Sequence, residues 1–129
     1  MPLADTAESW LAAHYDDLVA WRRHIHRHPE LGRQEFATTQ FVADRLVEAG
    51  LNPKALPGGA GLVCDFGPEY GPRIALRADI DALPMAERTG LPFTSATPGV
   101  AHACGHDAHT AMLLGAATAL ASVPQLPVG

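Results

Sequence analysis

A cluster of potential metal ligands, placed directly before an apolar helical run, constrains this chain more than any other feature. The segment HACGHDAH offers four such ligands within eight positions and an aspartate among them: His102, Cys104, His106, His109 and Asp107. The residues from Ala111 to Leu120 that follow are almost entirely apolar, which favours a buried helix. Nitrogen and sulfur donors at the start of a rigid buried element indicate a ligand-binding site.

The residues alone leave open how many of these donors act together. Cys104 and His106 precede or begin the helix, where irregular backbone can direct both side chains inward and the helix N-terminus favours a thiolate. His106 and His109 share one helical face. All four donors could form a self-contained metal-binding or thiol-redox module, although their spacing is tighter than in zinc fingers. Otherwise fewer donors act with distant ligands, or the histidines are incidental to a capped helix.

Composition narrows the class of protein. The 129 residues suffice for one domain with a core, and 47% hydrophobic and 18% charged residues indicate a globular chain. The net charge of -5 argues against a nucleic-acid partner. The N-terminus lacks the pattern of a signal peptide, the apolar runs are too short to span a membrane, and the two cysteines form no disulfide framework. We therefore expect a cytoplasmic protein without a membrane partner.

Periodicity and turn residues predict an α/β order of elements. The predicted helices are Asp5–His28, ended by Pro29, and Glu35–Ala49, ended by Gly50. The predicted strands are Lys54–Leu56, Gly61–Phe66 with Cys64 as a small buried residue, and Arg73–Ala78; a long loop covers Met85–Gly99.

Three alternate histidines lie near the end of the first predicted helix. His24, His26 and His28 point in directions about 200° apart from one to the next while helical, so the three cannot converge on one metal. The prediction is a solvated basic helix end, with a role towards substrate as the alternative.

Two aspartates follow the predicted strand at Arg73. Asp79 and Asp81 are two positions apart, so they project on the same side of an extended chain. Carboxyl ends of strands in α/β sheets are where ligands bind, but aspartates also cap turns. The nearby ligand cluster favours the functional interpretation.

Three segments in this order resemble the M20 metallopeptidase family: WRRHIHRHPELG, LRADIDALP and HACGHDAHTAMLLGAA. The branch they resemble is the aminoacylase-like amidohydrolases, which include N-acyl-amino-acid amidohydrolases and hippurate hydrolases. The resemblance extends from Trp21 to about Leu120. It implies an α/β fold, namely the N-terminal part of an M20-type zinc-exopeptidase catalytic domain with helices packed on a mixed sheet. That domain would be incomplete in residues 1–129, and the smaller dimerisation or lid domain would be absent.

The resemblance also implies roles for individual residues. Cys104 and His106 would be metal ligands, with Cys104 bridging two divalent ions such as Zn, Mn, Co or Ni. Asp81 would be the catalytic-site aspartate, which supports a ligand or the catalytic group. Asp79 takes the place of a metal-binding histidine in other branches, so we place it, like His102, Asp107 and His109, around the ligands rather than on the metal.

The implied reaction is hydrolysis of the amide bond of an N-acyl amino acid, a small-molecule substrate, by a homo-oligomeric enzyme. In the family, the general-base glutamate and further carboxylate and histidine ligands lie downstream, whereas Thr110 to Gly129 contains no Cys, His, Asp or Glu. We therefore expect residues 1–129 alone to be inactive and to bind metal weakly. The alternative remains the self-contained module of His102, Cys104, His106 and His109.

Overall fold

Four helices and one small sheet form the secondary structure of residues 2–129, the part of the chain that this computed structural model describes. The elements are α1 (Leu3–Ala13), α2 (Tyr15–Arg27), α3 (Phe36–Glu48), β1 (Lys54–Ala55), β2 (Leu62–Val63) and α4 (His106–Ala121). None of these helices has the length and apolar character that crossing a bilayer requires.

The predicted first helix is interrupted at His14, so its single-helix prediction is wrong. His14 has φ −117° and ψ 17° and separates α1 from α2. Its ring stacks on Trp10 with 4.0 Å between ring centroids, and its Nδ1 lies 2.8 Å from the Trp10 carbonyl oxygen. The ring thus bonds to the carbonyl that the His14 backbone N–H also reaches. Apolar periodicity could not reveal a one-residue break because the stripe continues across it.

The middle of the chain follows the prediction closely. The helix predicted over Glu35–Ala49 is α3, shorter by one residue at each end. The strands predicted near Lys54 and within Gly61–Phe66 are β1 and β2, which pair antiparallel with Lys54 opposite Val63. Cys64 lies just after β2 and is only half-buried.

The strand predicted over Arg73–Ala78 does not form in the described residues. This segment has no strand assignment, and Ile74 and Leu76 are 68% and 61% exposed. A strand forms only where a neighbouring strand can hydrogen-bond to its backbone N–H and C=O groups. In this segment the Ile74 N–H donates to the Gly129 carbonyl, but this contact lies at the start of the segment and does not extend along it. Among the described residues, parallel pairing is limited to an isolated bridge between Leu31 and Ala82. The mixed sheet that the resemblance implied is therefore represented here by short segments of paired backbone.

Helix α4 is the central element and packs against α1, α2 and α3. Its buried residues recur three and four positions apart and are mostly small: Asp107, Thr110, Ala111, Leu114, Gly115, Thr118 and Ala119. Small side chains let neighbouring helices approach closely. An ideal Cβ on Gly115 would lie 2.7 Å from Leu18 Cδ2, so α2 approaches α4 closely here and a larger residue would require the Leu18 side chain to move. The helix that begins at the candidate ligands is therefore firmly held.

Candidate metal centre

The start of α4 presents two of the predicted ligands. His106 is the first residue of the helix, and Gly105 precedes it with φ +84°. That left-handed conformation is readily available to glycine, and it turns the chain sharply between Cys104 and His106. Cys104 is an exposed free thiol, and His106 is partly exposed. Both predicted ligands are therefore accessible from solvent.

The side chain of Asp81 orients the ring of His106. His106 Nδ1 lies 2.9 Å from Asp81 Oδ1 and 3.0 Å from the Asp81 carbonyl oxygen. Because both oxygens are acceptors, Nδ1 carries the proton and donates it. The lone pair of the neutral ring is then on Nε2, which is the usual arrangement of a metal-ligating histidine supported by a carboxylate.

Asp79 lies on the other side of the same histidine. Its Oδ2 is 4.0 Å from His106 Nε2, and its Oδ1 accepts a 2.6 Å hydrogen bond from the exposed Arg77. The Thr110 hydroxyl lies 3.1 Å from the Asp79 carbonyl and 2.7 Å from the His106 carbonyl, and so links this segment to α4. Asp79 and Asp81 therefore both lie beside one histidine, one near each of its ring nitrogens.

Asp107 is not part of the solvent-facing group. It is 1% exposed, and its Oδ2 accepts 2.8 Å hydrogen bonds from Arg22 Nε and His26 Nδ1. The other ring nitrogen of His26 lies 2.9 Å from Glu87 Oε1 and 3.0 Å from Oε2. A buried chain of charges thus joins α2, the first turn of α4 and the loop containing Glu87.

Hydrogen bonds keep the carboxylates of Asp107 and Glu87 ionised. Burial by itself would raise the pKa of Glu87, but hydrogen bonds from Thr89, His26 and the Ser95 backbone outweigh it and lower the pKa to about 2. Burial likewise opposes ionisation of Asp107, and its pKa is nevertheless lowered by the His26 hydrogen bond and the Arg22 charge.

His102 is buried at 7% exposure, and neither of its ring nitrogens has a hydrogen-bond partner among the described residues. Burial lowers the pKa of this imidazole, which favours the neutral form. His109, by contrast, is exposed, and its ring centroid lies 6.2 Å from that of His106. The four potential donors of the cluster therefore point into different environments.

Among residues 2–129, no three His, Cys, Asp or Glu side chains are arranged to hold a metal ion together. The interpretation as a self-contained four-ligand or thiol-redox module is therefore not supported. Cys104 and His106 do fit a metal by their chemistry, since a thiol at a helix start and an Nδ1-protonated imidazole are donors suited to borderline divalent ions. They would provide part of a coordination shell.

Sequence reasoning missed His26, Arg22 and Glu87. The prediction of a solvated helix end holds for His24 and His28, which are exposed, but is wrong for His26, which is 3% exposed. The alternation along the helix was a usable signal, because it places His26 on a different face of α2 from His24 and His28. Its partners, however, are 61 and 81 positions away and could not be identified from local pattern.

A surface cavity lies elsewhere. It is lined by residues from the segment after α3, the segment after β2, the end of α4 and the C-terminal segment, among them Leu51, Phe66, Leu120 and Leu126. None of its lining residues belongs to the candidate metal centre. Within the described residues, the candidate ligands thus lie on an open surface rather than in an enclosed cleft.

The family model described as peptidase family M20/M25/M40 matches residues 75–128. This interval contains Asp79, Asp81 and the complete segment from His102 to His109. Among curated relatives, the chain is 52% identical over 101 residues to an N-acetyl-L-cysteine deacetylase of Bacillus subtilis, covering 78% of this chain and 24% of that protein. It is 49% identical over 102 residues to an N-acyl-L-amino acid amidohydrolase of Geobacillus stearothermophilus, covering 78% and 28%.

One similar protein has a different name. A putative glutamate–cysteine ligase of Rhodococcus jostii is 64% identical over 107 residues, which are 83% of this chain but 14% of that protein. Because the match occupies so small a part of it, the ligase name carries no argument for the segment described here.

Solved structures agree with the family match. A crystal structure of a dinuclear metal-binding M20 peptidase from Bacillus subtilis matches with a TM-score of 0.75 and 45% identity, covering 80% of this chain and 29% of that one. A putative aminohydrolase from methicillin-resistant Staphylococcus aureus matches with a TM-score of 0.85 and 37% identity, covering 92% and 31%.

These findings define an M20-type metallohydrolase fold, and they confirm the resemblance to the M20 family that the three motifs carry. The chain spans about a quarter of the length of the amidohydrolase relatives that it matches. The activity of a full-length protein that contains this segment is therefore proposed rather than observed.

Proposed function

We propose that this chain supplies one part of the metal centre of an amidohydrolase that cleaves the amide bond of N-acyl amino acids. The observation that carries the proposal is the contact of Asp81 with His106 Nδ1, which leaves Nε2 free to bind a metal. The amidohydrolase and deacetylase names of the relatives at 49–52% identity support this substrate class.

The residues of this chain would act as holders and orienters. Cys104 would bind as a thiolate, favoured by its place at the start of α4, and His106 would bind through Nε2. Asp81 fixes the tautomer and the direction of the His106 ring. When bound, a divalent metal would polarise the acyl carbonyl and lower the pKa of water. Other ligands and the general base would come from sequence that the relatives carry outside the matched segment.

Finer features of the enzyme belong to the same proposal. We assign two divalent ions to the complete site, drawn from Zn, Mn, Co and Ni, which suit nitrogen, sulfur and oxygen donors; Cys104 and His106 would help to hold them. The dinuclear B. subtilis structure supports that number. Two free cysteines suit the reducing cytoplasm, and we place a homo-oligomeric enzyme there. Residues 1–129 form the N-terminal portion of its catalytic domain in this proposal.

A segment exchange tests the proposal directly. The matched residues of the G. stearothermophilus amidohydrolase are replaced by those of this chain, and chelator-sensitive release of amino acid from N-acetyl amino acids is measured. We expect the chimera to be active, and we expect Cys104→Ser and His106→Ala to abolish its turnover. Residues 1–129 alone should show none.

The matched control is His24→Ala, because His24 is an exposed histidine on α2 whose ring contacts His28 and Phe41 rather than the candidate ligands. It should retain most of the chimera's activity. Full activity of a folded His106→Ala chimera would overturn the proposed role of this site, and so would a chimera with native circular dichroism but no turnover.

A further inference from the structure

We propose that His26 is a positioning residue, which fixes the start of α4 through Asp107 and thereby sets the direction of the metal-binding side chains. The inference rests on the proposed function for the role of Cys104 and His106 as metal ligands. The part that concerns the position of the first turn of α4 is independent of that function. Asp107 was predicted to lie around the ligands, whereas His26, Arg22 and Glu87 had no assigned role.

The first observation is that both ring nitrogens of His26 are used. Nδ1 donates to Asp107 Oδ2 at 2.8 Å, and Nε2 donates to Glu87 at 2.9–3.0 Å. The three side chains are at most 6% exposed. Charged and polar groups in such surroundings are held tightly, because leaving one of them unpaired costs much more than in water.

The second observation is where Asp107 lies. It directly follows His106, and it is the second residue of α4. A side chain pinned in the first turn fixes the rotation of the helix about its axis, and the direction of the neighbouring side chain rotates with it. His106 faces Asp81 on one side while Asp107 faces α2 on the other, so the two contacts hold this turn from both sides.

The third observation concerns the loop that leads to Cys104. Glu87 accepts hydrogen bonds from the Ser95 backbone N–H at 2.9 Å and from the Thr89 hydroxyl, and Phe93 contacts the His26 ring edge-on at 5.3 Å. His26 therefore joins this loop to α2. Cys104 lies in the chain between this loop and the first turn of α4, so His26 contacts residues on both sides of this thiol.

A histidine that only stabilised the fold would make the same contacts, so substitutions must separate the two roles. Asn and Gln serve this purpose, because each replaces one ring nitrogen of His26 by a side-chain amide nitrogen. In His26→Asn the side-chain amide occupies the Nδ1 position and can still donate to Asp107. In His26→Gln the amide occupies the Nε2 position and can still donate to Glu87. Each variant removes one of the two hydrogen bonds between His26 and a buried carboxylate, so both should lose thermal stability, while only the first keeps the contact of residue 26 to α4.

The experiment compares the two variants by amide hydrogen exchange and by Co²⁺ titration of the protein. We expect His26→Asn to preserve protection of the His109 amide, which bonds to the Gly105 carbonyl in the first turn of α4, and His26→Gln to lose it. Co²⁺ affinity, followed through the thiolate–cobalt absorption band of Cys104, should fall about 10–100-fold in His26→Gln and stay close to wild type in His26→Asn. His24→Asn, on the same helix but exposed, is the control.

Equal changes in the Asn and Gln variants in the exchange measurement would overturn the positioning role. Absence of a Cys104-dependent cobalt band in the segment-exchange chimera would instead contradict the proposed metal centre, and amide exchange would still decide the role of His26. The two failures are therefore distinguishable.

Discussion

Asp81 and Asp107 both lie beside His106, Asp81 in contact with its ring and Asp107 next to it in the sequence, yet they differ in surroundings and in consequence. Asp81 is partly exposed and contacts the imidazole of His106, whereas Asp107 is buried and contacts α2. The difference could not be read from the sequence, because both residues lie in short motifs of potential ligands. Distant partners decide it, namely His26 and Arg22 for Asp107.

Removing the Asp81 carboxylate should weaken metal binding without unfolding the protein. In Asp81→Ala the His106 ring loses the carboxylate acceptor at 2.9 Å and keeps only the backbone carbonyl of residue 81, at 3.0 Å, to orient it. We expect a loss of about 10–100-fold in Co²⁺ affinity by titration. Asp65→Ala removes an exposed carboxylate that pairs with Arg73, and it should leave the affinity unchanged. An equal loss in both variants would contradict the proposed support of His106.

The lowered pKa of Glu87 predicts an acid-sensitive contribution to stability. The folded-state pKa of about 2 lies below the ordinary value of 4.5, so ionised Glu87 favours the folded state. Its contribution is complete above about pH 4.5 and is lost as the pH falls through about 2. Urea unfolding between pH 5 and pH 2 should show a steeper fall in the free energy of unfolding for wild type than for Glu87→Gln. Parallel curves would show that Glu87 contributes nothing to this dependence.

Among the secondary-structure elements, the packing of α2 against α4 positions the helix that begins at the candidate metal centre. Periodicity predicted both α3 and the apolar helix after the ligand cluster. The buried residues of α4 recur three and four positions apart, whereas α3 buries only Thr38, Thr39 and Leu46. Periodicity did not predict the break at His14, where a stacked aromatic pair decides the backbone conformation. It also failed for Arg73–Ala78, because strand formation depends on neighbours that composition does not show.

Replacing Gly115 by alanine tests the close approach of α2 and α4. Alanine favours a helix by about 1 kcal/mol over glycine, but overpacking of the Leu18 side chain costs about 1–3 kcal/mol. We expect Gly115→Ala to lower the free energy of unfolding in chemical denaturation.

The Leu18→Ala background provides the matched control, since it removes the atom that lies 2.7 Å from the added Cβ. There, Gly115→Ala should be neutral or stabilising. If the substitution destabilises both backgrounds equally, Leu18 is not the limiting contact.

For the whole molecule, the described residues leave an extended apolar segment uncovered. Ile74 and Leu76 are exposed, and much of their backbone has no strand partner in residues 2–129. Such an edge is prone to pair with another chain. The fold class was predictable from the motifs, while the extent of the sheet depends on partners that the sequence pattern does not identify.

Charge on this segment should reduce self-association. We expect Ile74→Lys and Leu76→Lys to lower the weight-average mass in sedimentation experiments at high protein concentration, because lysine opposes edge pairing. Val47→Lys is the control, since Val47 is 60% exposed but lies on α3. A drop of the same size in the control would point to net charge rather than to the edge.

The contact between His26 and Asp107 also has a consequence for the order of folding. The two residues are 81 positions apart, so their hydrogen bond closes a long loop and must overcome its chain entropy. Contacts of such separation form slowly compared with local helices. During synthesis, His26 leaves the ribosome well before its partner and stays hydrated until Asp107 emerges. The ligand-bearing turn of α4 should therefore be among the last parts of this chain to become ordered.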